Sequence, residues 1–215
     1  MQKNAILITI FSLIAIFGFL FLVYAFSNNP SNQGGQEFSQ AKTLLTSDHI
    51  KWSPEKKTLL IEYADLQCPA CKSFHSVLKQ FESDPEIGKK VTFAFRHFPL
   101  TMHKNAVPAA RAAEAAGRQG KFFEMSGLLY DEQGSWSQLG NPTDYFVNLA
   151  KKLKLDVEKF TADMKSPEVQ KKIDADTASG YAVQVNSTPT FFLNGKKIEV
   201  ETIDQFKNLL ENAVK

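Results

Sequence analysis

The sequence predicts an α/β fold in which a βαβ half and a ββα half are separated by a helical insertion. An apolar run over residues 58–63 leads into a segment with helical spacing. A stretch of about ninety residues then shows helical periodicity without a comparable strand pattern, and strand patterns return after Pro189. With about 175 residues outside the N-terminal region, the chain is long enough for one domain with a substantial core.

The first half is predicted to be a βαβ unit. Residues 58–63 are a buried strand candidate that contains one acid, Glu62. Residues 68–81 follow as a helix, because their apolar side chains recur three and four positions apart. Residues 91–98 alternate between apolar and polar side chains and form the second strand. Strands joined by a helix in this way are expected to be parallel.

The insertion, over about residues 101–186, is predicted to be helical throughout. Its first helix is rich in alanine, which has the highest helix propensity, and Pro108 lies in the first turn, where proline is tolerated. The predicted helices cover residues 107–117, 121–133, 143–153, 157–164 and 167–185.

The second half is predicted to be a hairpin followed by a helix. Residues 190–193 form a strand, and Asn194-Gly195 is the dipeptide most typical of a two-residue hairpin turn. Residues 196–200 form the return strand. The last helix covers residues 202–214, with Thr202 as its N-cap.

The N-terminal region is typical of a membrane anchor. Residues 5–26 form an uncharged run of 22 residues, which is long enough to cross a bilayer as a helix. Lys3 precedes this run and no lysine or arginine occurs in residues 27–41, so the globular part is expected outside the cytoplasm. The alternative is a signal peptide that is cleaved after export. Either interpretation predicts a periplasmic, secreted or membrane-tethered domain in a compartment where disulfides persist.

We therefore predict three segments, namely a signal anchor over residues 1–26, a flexible tether over 27–46 and a globular domain over 47–215. The tether is polar, rich in asparagine and glycine, and lacks periodicity. The net charge of +2 and the absence of a basic stripe interleaved with aromatic residues argue against a nucleic-acid partner.

The chemistry is predicted at Cys68-Pro69-Ala70-Cys71, which contains both cysteines of the sequence. Pro69 suits the first helical position, so Cys68 is expected at the N-cap, where the amides of the first turn and the helix dipole favour a thiolate. Cysteines in such positions have pKa values of about 3.5 to 7.5. Cys68 is then the attacking thiol, and Cys71, one turn later, resolves the mixed disulfide.

Two further residues are candidates, each with an alternative interpretation. Glu62, six residues before Cys68, is either a buried acid that exchanges a proton with Cys71 or a strand residue facing solvent. The Thr188–Pro189 bond precedes a strand and is either trans or cis, the cis form being adopted by about 5 to 6% of such bonds.

Several motifs together resemble the DsbA-like thiol-disulfide oxidoreductases of the thioredoxin fold, most of all their membrane-anchored bacterial members. The Cys-Pro-x-Cys motif after a strand, the helical insertion and the Ser-Thr-Pro-Thr-Phe-Phe-Leu-Asn-Gly-Lys segment after it carry the resemblance. It extends from about Ser47 to the end of the chain, and shorter segments strengthen it at residues 61–65, 95–100 and 112–117.

The resemblance implies roles for five residues. Cys68 is the nucleophile, Cys71 the resolving cysteine and Glu62 the buried acid beneath the pair. Pro189 is cis and faces Cys68, and Thr188 beside it pairs through its backbone with an extended substrate segment. No cofactor and no resident metal ion are expected. The implied partners are reduced or unfolded exported proteins and a membrane partner, such as a quinone-linked oxidase, that restores the disulfide.

Other functions remain open at this point. The sequence has Pro-Ala between the cysteines where the best-known member has Pro-His, which suggests a less oxidising pair, and a disulfide reductase or isomerase would use the same site. A zinc or copper carrier would use Cys68, Cys71 and His75, since thiolates and imidazole suit those metals. A binding module that has lost redox activity is disfavoured by the retention of both cysteines.

Overall fold

The computed structural model describes residues 18–19 and 38–215 of the chain. The chain divides into two compact units, residues 1–35 and 36–215. The anchor predicted over residues 5–26 therefore lies outside the described residues, apart from Gly18 and Phe19, and stays a prediction. In the described part of the chain, no helix combines the length and the apolar character needed to span a membrane.

One mixed sheet is formed by five strands of the described residues. The strands are β1 (His49–Trp52), β2 (Thr58–Ala64), β3 (Val91–His97), β4 (Thr190–Leu193) and β5 (Lys196–Ile198). Their order across the sheet is β1-β3-β2-β4-β5. Strands β2 and β3 are parallel, whereas the other three pairings are antiparallel. The sheet thus joins a βαβ half to a ββα half through the neighbouring strands β2 and β4.

The described helices occur where the sequence predicts helices, with two short additions at residues 87–90 and 133–136. They are α1 (Pro69–Ser83), α2 (Ile87–Lys90), α3 (Ala106–Gly117), α4 (Phe122–Asp131), α5 (Gln133–Trp136), α6 (Thr143–Lys152), α7 (Val157–Met164), α8 (Pro167–Ala182) and α9 (Ile203–Ala213). The insertion comprises α3 to α8.

The predicted α/β class and the order of its elements are confirmed, with differences in detail. The helix predicted over residues 121–133 ends at Asp131 and is followed by the separate turn α5. The return strand ends at Ile198 rather than at residue 200. Strand β1 was not predicted, because its four residues are partly exposed and gain their ladder only by pairing with β3, more than forty positions away.

The turn and cap signals of the second half are confirmed. Asn194 and Gly195 both have positive φ angles, as a type I′ hairpin turn requires. Thr202 is the N-cap of α9, and its side chain accepts a hydrogen bond from the amide of Gln205.

Alternation along β2 divides its side chains between two cores. Leu59 and Tyr63 belong to the core on one face of the sheet. Leu60 and Ala64 belong to the larger core on the other face, which also contains both cysteines. Glu62 lies between Leu60 and Ala64 on that second face, since side chains two positions apart point the same way. The strand therefore directs its one acid towards the start of α1.

The end of the predicted tether, residues 38–46, packs against the sheet instead of being free. Arg96, on β3, donates hydrogen bonds to the backbone carbonyls of Gln40 and Thr43 at 3.0 and 2.9 Å. It also pairs with both carboxylate oxygens of Asp48, and both side chains of that pair are fully buried. The tether prediction is wrong for this segment, because its anchoring group comes from a distant strand.

Candidate active site

The Cys68-Pro69-Ala70-Cys71 segment lies at the turn from β2 into α1. Cys68 is the N-cap with extended backbone angles, and Pro69 occupies the first turn, as predicted. The Cys68 amide donates to the carbonyl of Asp65 at 3.0 Å. Gln133, on α5, donates from its side-chain amide to the Cys68 carbonyl at 3.1 Å. The insertion therefore helps to hold the cysteine loop in place.

The two thiols differ in exposure. Both cysteines are free thiols in this structure. Cys68 is 6% exposed and Cys71 is completely buried. Cys68 is therefore the sulfur that a protein substrate can reach, in agreement with its predicted position.

The Cys68 sulfur has a hydrogen-bond partner that the sequence analysis did not predict. Its side chain does not bond to an amide of the first turn, so the predicted capping bond is absent. The thiol instead donates to the carbonyl of Thr188 at 3.4 Å. The loop before β4 thus contacts the reactive sulfur directly.

The surroundings of Cys68 favour its thiolate. The hydrogen bond from the Cys71 thiol is the largest cause that lowers the pKa of Cys68, to about 5. Burial opposes this shift, while the amides of Cys71 and Ala70 and the side chain of Thr188 lower the pKa further. The helix start therefore acts electrostatically, as predicted, although the amides do not form a capping hydrogen bond with the thiol.

The pKa of Cys71 moves in the opposite direction. Burial, the hydrogen bond given to Cys68 and the charge of Glu62 all raise the pKa of Cys71 well above its ordinary value. At neutral pH the pair is therefore a thiolate at Cys68 and a thiol at Cys71. The carboxyl group of Glu62 is close enough to Cys71 for its charge to raise the pKa of that thiol.

Glu62 is buried, so the solvent-facing alternative is wrong. Its side chain is on the core face of β2 and the residue is 3% exposed. Burial raises the pKa of Glu62 to about 8; the positive charge of Lys51 opposes this shift, and the charge of Cys68 adds to it. A carboxyl group that titrates near neutral pH beside a buried thiol is chemically able to exchange a proton with it.

The Thr188–Pro189 peptide bond is cis, as the resemblance implied. Thr188 is mostly buried, and its hydroxyl has no hydrogen-bond partner of ordinary geometry among the described residues. The same side chain is near enough to Cys68 to lower the pKa of that thiol. Pro189 and Thr188 therefore lie opposite Cys68, where an approaching chain would meet the sulfur.

A buried aspartate that was not predicted organises the loop before Cys68. Asp65 accepts hydrogen bonds from the amides of Gln67 and Leu100 at 2.7 and 2.9 Å. It also pairs with Nδ1 of His103 at 2.7 Å. The position of Asp65 at the carboxyl end of β2, three residues before Cys68, is a signal that could have identified it. Two of its partners, Leu100 and His103, come from the loop after β3 and could not be inferred from local sequence.

The metal-site alternative is not supported by the arrangement of its three residues. Across residues 38–215, no group of three or more His, Cys, Asp or Glu side chains is placed to hold a metal ion. His75 instead packs against Tyr130 of α4, with ring centroids 5.0 Å apart. The grouping of Cys68, Cys71 and His75 as metal ligands is therefore wrong, because His75 faces the insertion.

Comparison with known proteins agrees with the architecture. The sequence model of the family described as thioredoxin matches residues 47–212. BdbD from Bacillus subtilis in its oxidised form has a TM-score of 0.72 at 20% identity, with 85% of this chain and 99% of that chain covered. MdbA from Corynebacterium diphtheriae, described as a thiol-disulfide oxidoreductase, has a TM-score of 0.64 at 18% identity, with 86% and 99% covered.

Curated proteins that are similar in sequence are named as antiporters rather than as oxidoreductases. A Na(+)/H(+) antiporter NhaA 1 from Mycobacterium sp. (strain KMS) is 34% identical over 155 residues, which are 70% of this chain and 24% of that protein. The chain thus spans about a quarter of the length of this relative.

Proposed function

Since the chain belongs to the thioredoxin family, with a DsbA-like helical insertion, we propose that it is a protein thiol-disulfide oxidoreductase that oxidises cysteine pairs in exported proteins. One observation carries the proposal, namely that an accessible thiolate at Cys68 lies one turn from a buried thiol at Cys71 and opposite the cis Pro189. The antiporter name belongs to much longer relatives, and ion transport is not proposed for this chain.

The reaction begins with Cys68 and Cys71 joined as a disulfide. A substrate thiolate attacks the sulfur of Cys68, the bond between the two cysteines breaks, and a mixed disulfide forms. Cys71 leaves as a thiolate and takes the proton of the Glu62 carboxyl group. Because the pKa of Cys71 is raised well above its ordinary value, this proton transfer is downhill.

In the second step the other substrate thiolate attacks the substrate sulfur of the mixed disulfide. A disulfide forms in the substrate, and Cys68 leaves as a thiolate. The substrate loses two electrons and two protons. The cysteine pair gains the electrons, one proton ends on Cys71 and the other passes to solvent. A thiolate with a pKa of about 5 is a good leaving group at neutral pH.

Substrate contact is assigned to Thr188 and Pro189. The Thr188 carbonyl lies beside the Cys68 sulfur, which donates a hydrogen bond to it when it is a free thiol. An extended substrate segment can take that carbonyl as the first partner of a short antiparallel pairing. This kind of pairing recognises the backbone of the substrate rather than its side chains, which suits an enzyme that acts on many unfolded proteins.

Two further arguments support the proposed direction and the proposed location. Stabilising the Cys68 thiolate stabilises the reduced pair, and this makes the disulfide more oxidising. The uncharged run of 22 residues at 5–26 supports a membrane-anchored, extracytoplasmic domain. A membrane partner of the quinone-linked class would take the two electrons from the reduced pair and restore the disulfide.

Oxidative refolding tests this proposal. The full-length chain, oxidised beforehand, is mixed with reduced, unfolded ribonuclease, whose activity returns only when its disulfides form. We expect the wild-type protein to accelerate recovery, and Cys68→Ser to remove the acceleration. Full activity of Cys68→Ser would contradict the proposal. A parallel assay of insulin reduction distinguishes a reductase, which would be fast there and slow in refolding.

A further inference from the structure

A small cavity lies against Glu62, between α1, α4 and the sheet. The centre of a water molecule can occupy about 20 Å³ of it, which is enough for one molecule. Most of its wall is apolar, with three phenylalanine rings and one leucine. Five polar or charged side chains also line it, namely Glu62, His75, Tyr130, Lys51 and Ser126, whose hydroxyl donates to the Phe122 carbonyl.

Two polar atoms of this lining lack partners. Nε2 of His75 and the hydroxyl of Tyr130 are buried and make no hydrogen bond within residues 38–215. Leaving such a group unpaired destabilises the folded state, and buried waters typically satisfy groups of this kind. The lining therefore offers one water molecule a donor, an acceptor and a carboxyl group around a space of its own size.

From this geometry we infer that the cavity holds one water bound by Glu62, His75 and Tyr130, and that Glu62 regains its proton from solvent through this water and His75. The inference rests on the proposed function, because Glu62 must be reprotonated each time it gives its proton to Cys71. His75 and Tyr130 then act as positioning and relay groups rather than as groups that touch substrate.

The charge states of the lining suit a relay. Burial lowers the pKa of His75 to about 4; Lys51 and Lys79 lower it as well, against the opposing charges of Asp131 and Glu82. His75 is therefore a neutral imidazole at pH 7, with one nitrogen that accepts a proton and one that donates.

Tyr130 and Lys51 complete the surroundings of Glu62. Burial raises the pKa of Tyr130 well above its ordinary value, with the charges of Cys71 and Glu62 adding to the shift, so Tyr130 stays a phenol. Lys51 is partly exposed and pairs with Glu82 at 2.7 Å.

The transfer is balanced in protons and moves no electrons. His75 takes a proton from solvent on one ring nitrogen and gives one from Nε2 to the water. The water gives one to the Glu62 carboxylate. One proton has then passed from solvent to Glu62, and the water is unchanged. The imidazole returns to its first tautomer by turning towards solvent, where Nδ1 releases its proton and Nε2 takes one, before the ring turns back for the next cycle.

The test removes the relay atoms and leaves the thiols in place. His75→Phe and Tyr130→Phe are compared with wild-type protein and with Tyr181→Phe, a control at an exposed tyrosine outside the cavity lining. The rate of proton exchange at Glu62 is followed by carbon NMR of its carboxyl group across pH 6 to 9. We expect exchange to slow by about tenfold or more in His75→Phe and by less in Tyr130→Phe, and to be unchanged in the control.

Chemical rescue and turnover give the second readout. Added imidazole is expected to restore at least half of the exchange rate in a further variant, His75→Gly, because the missing ring leaves room for imidazole to supply the relay. Exchange within twofold of wild type in both variants would overturn the inference. If His75→Phe does not fold, the result for Tyr130→Phe, which removes a single oxygen, decides the question. A wild-type protein that exchanges normally but fails to refold ribonuclease would refute the proposed function and leave the relay intact.

Discussion

Removal of the Cys71 thiol should raise the pKa of Cys68. The hydrogen bond from Cys71 is the largest cause that keeps the pKa of Cys68 at about 5. Cys71→Ala deletes this bond, whereas Cys71→Ser keeps a donor in almost the same place. Both variants contain Cys68 as their single cysteine, so a titration of either reports on one thiol.

The expected size follows from the strength of the bond. A hydrogen bond to a charged group contributes about 1.5 to 3 kcal/mol, and each pKa unit corresponds to about 1.4 kcal/mol. The pKa of Cys68 should therefore rise by about 1 to 2 units in Cys71→Ala, to about 6 or 7. In Cys71→Ser the rise should stay below about half a unit, because the hydroxyl can still donate.

Thiolate absorbance near 240 nm, followed from pH 3 to 10, measures these values directly. Iodoacetamide alkylation rates over the same range provide an independent check, because only the thiolate reacts. Equal pKa values in the wild type, Cys71→Ala and Cys71→Ser would refute the reasoning. In that case the amides and the dipole of α1, rather than the neighbouring thiol, would dominate the stabilisation.

Three other predictions concern stability. The pKa of Glu62 is raised from 4.5 to about 8 in the folded state, so the free energy of unfolding should fall by up to about 5 kcal/mol as pH rises through that window. Urea denaturation should show that the stability of Glu62→Gln depends less on pH between 4.5 and 9. A parallel loss of stability in both proteins would contradict this. Arg96→Leu leaves its buried aspartate partner unpaired and should cost about 3 to 5 kcal/mol; a loss below 1 kcal/mol would show that the N-terminal segment packs without it. A methyl group on Gly180 would come within 2.6 Å of a phenylalanine ring, so Gly180→Ala should lower the free energy of unfolding by about 1 to 3 kcal/mol, whereas Gly134→Ala, with open space around it, should not; equal effects would refute the packing argument.

The helices and central strands could be predicted because local pattern and tertiary packing agree there. The run at β2 is apolar on both faces, and α1 begins at a proline after an N-cap residue. The hairpin turn at Asn194 and Gly195 requires positive φ angles, and its sequence supplies residues that tolerate them. In these places the residues of each short segment favour the structure that the segment adopts.

The site could be predicted only in part. The two cysteines lie one turn apart at the start of one helix, so their relation is local. The environment of Glu62 is not local, because the side of the strand that is buried depends on which helix packs there. The prediction of a cis bond before Pro189 depended on the family resemblance, because local sequence does not distinguish a cis bond from a trans bond. Gln133, His103 and Tyr130 reach the site from the insertion and the loop before it, and periodicity cannot reveal such contacts.

The equilibrium potential of the Cys68–Cys71 pair tests the central claim most directly. A pKa of about 5 at Cys68 stabilises the reduced pair at pH 7 by about 2.3 kcal/mol relative to a thiol with a pKa near 7, which corresponds to about 50 mV. Equilibration of the full-length protein with glutathione buffers should therefore give a two-electron couple near −220 mV or less negative, about 50 mV above the −270 mV of thioredoxin. A potential at or below about −270 mV would contradict an oxidant built on a stabilised Cys68 thiolate.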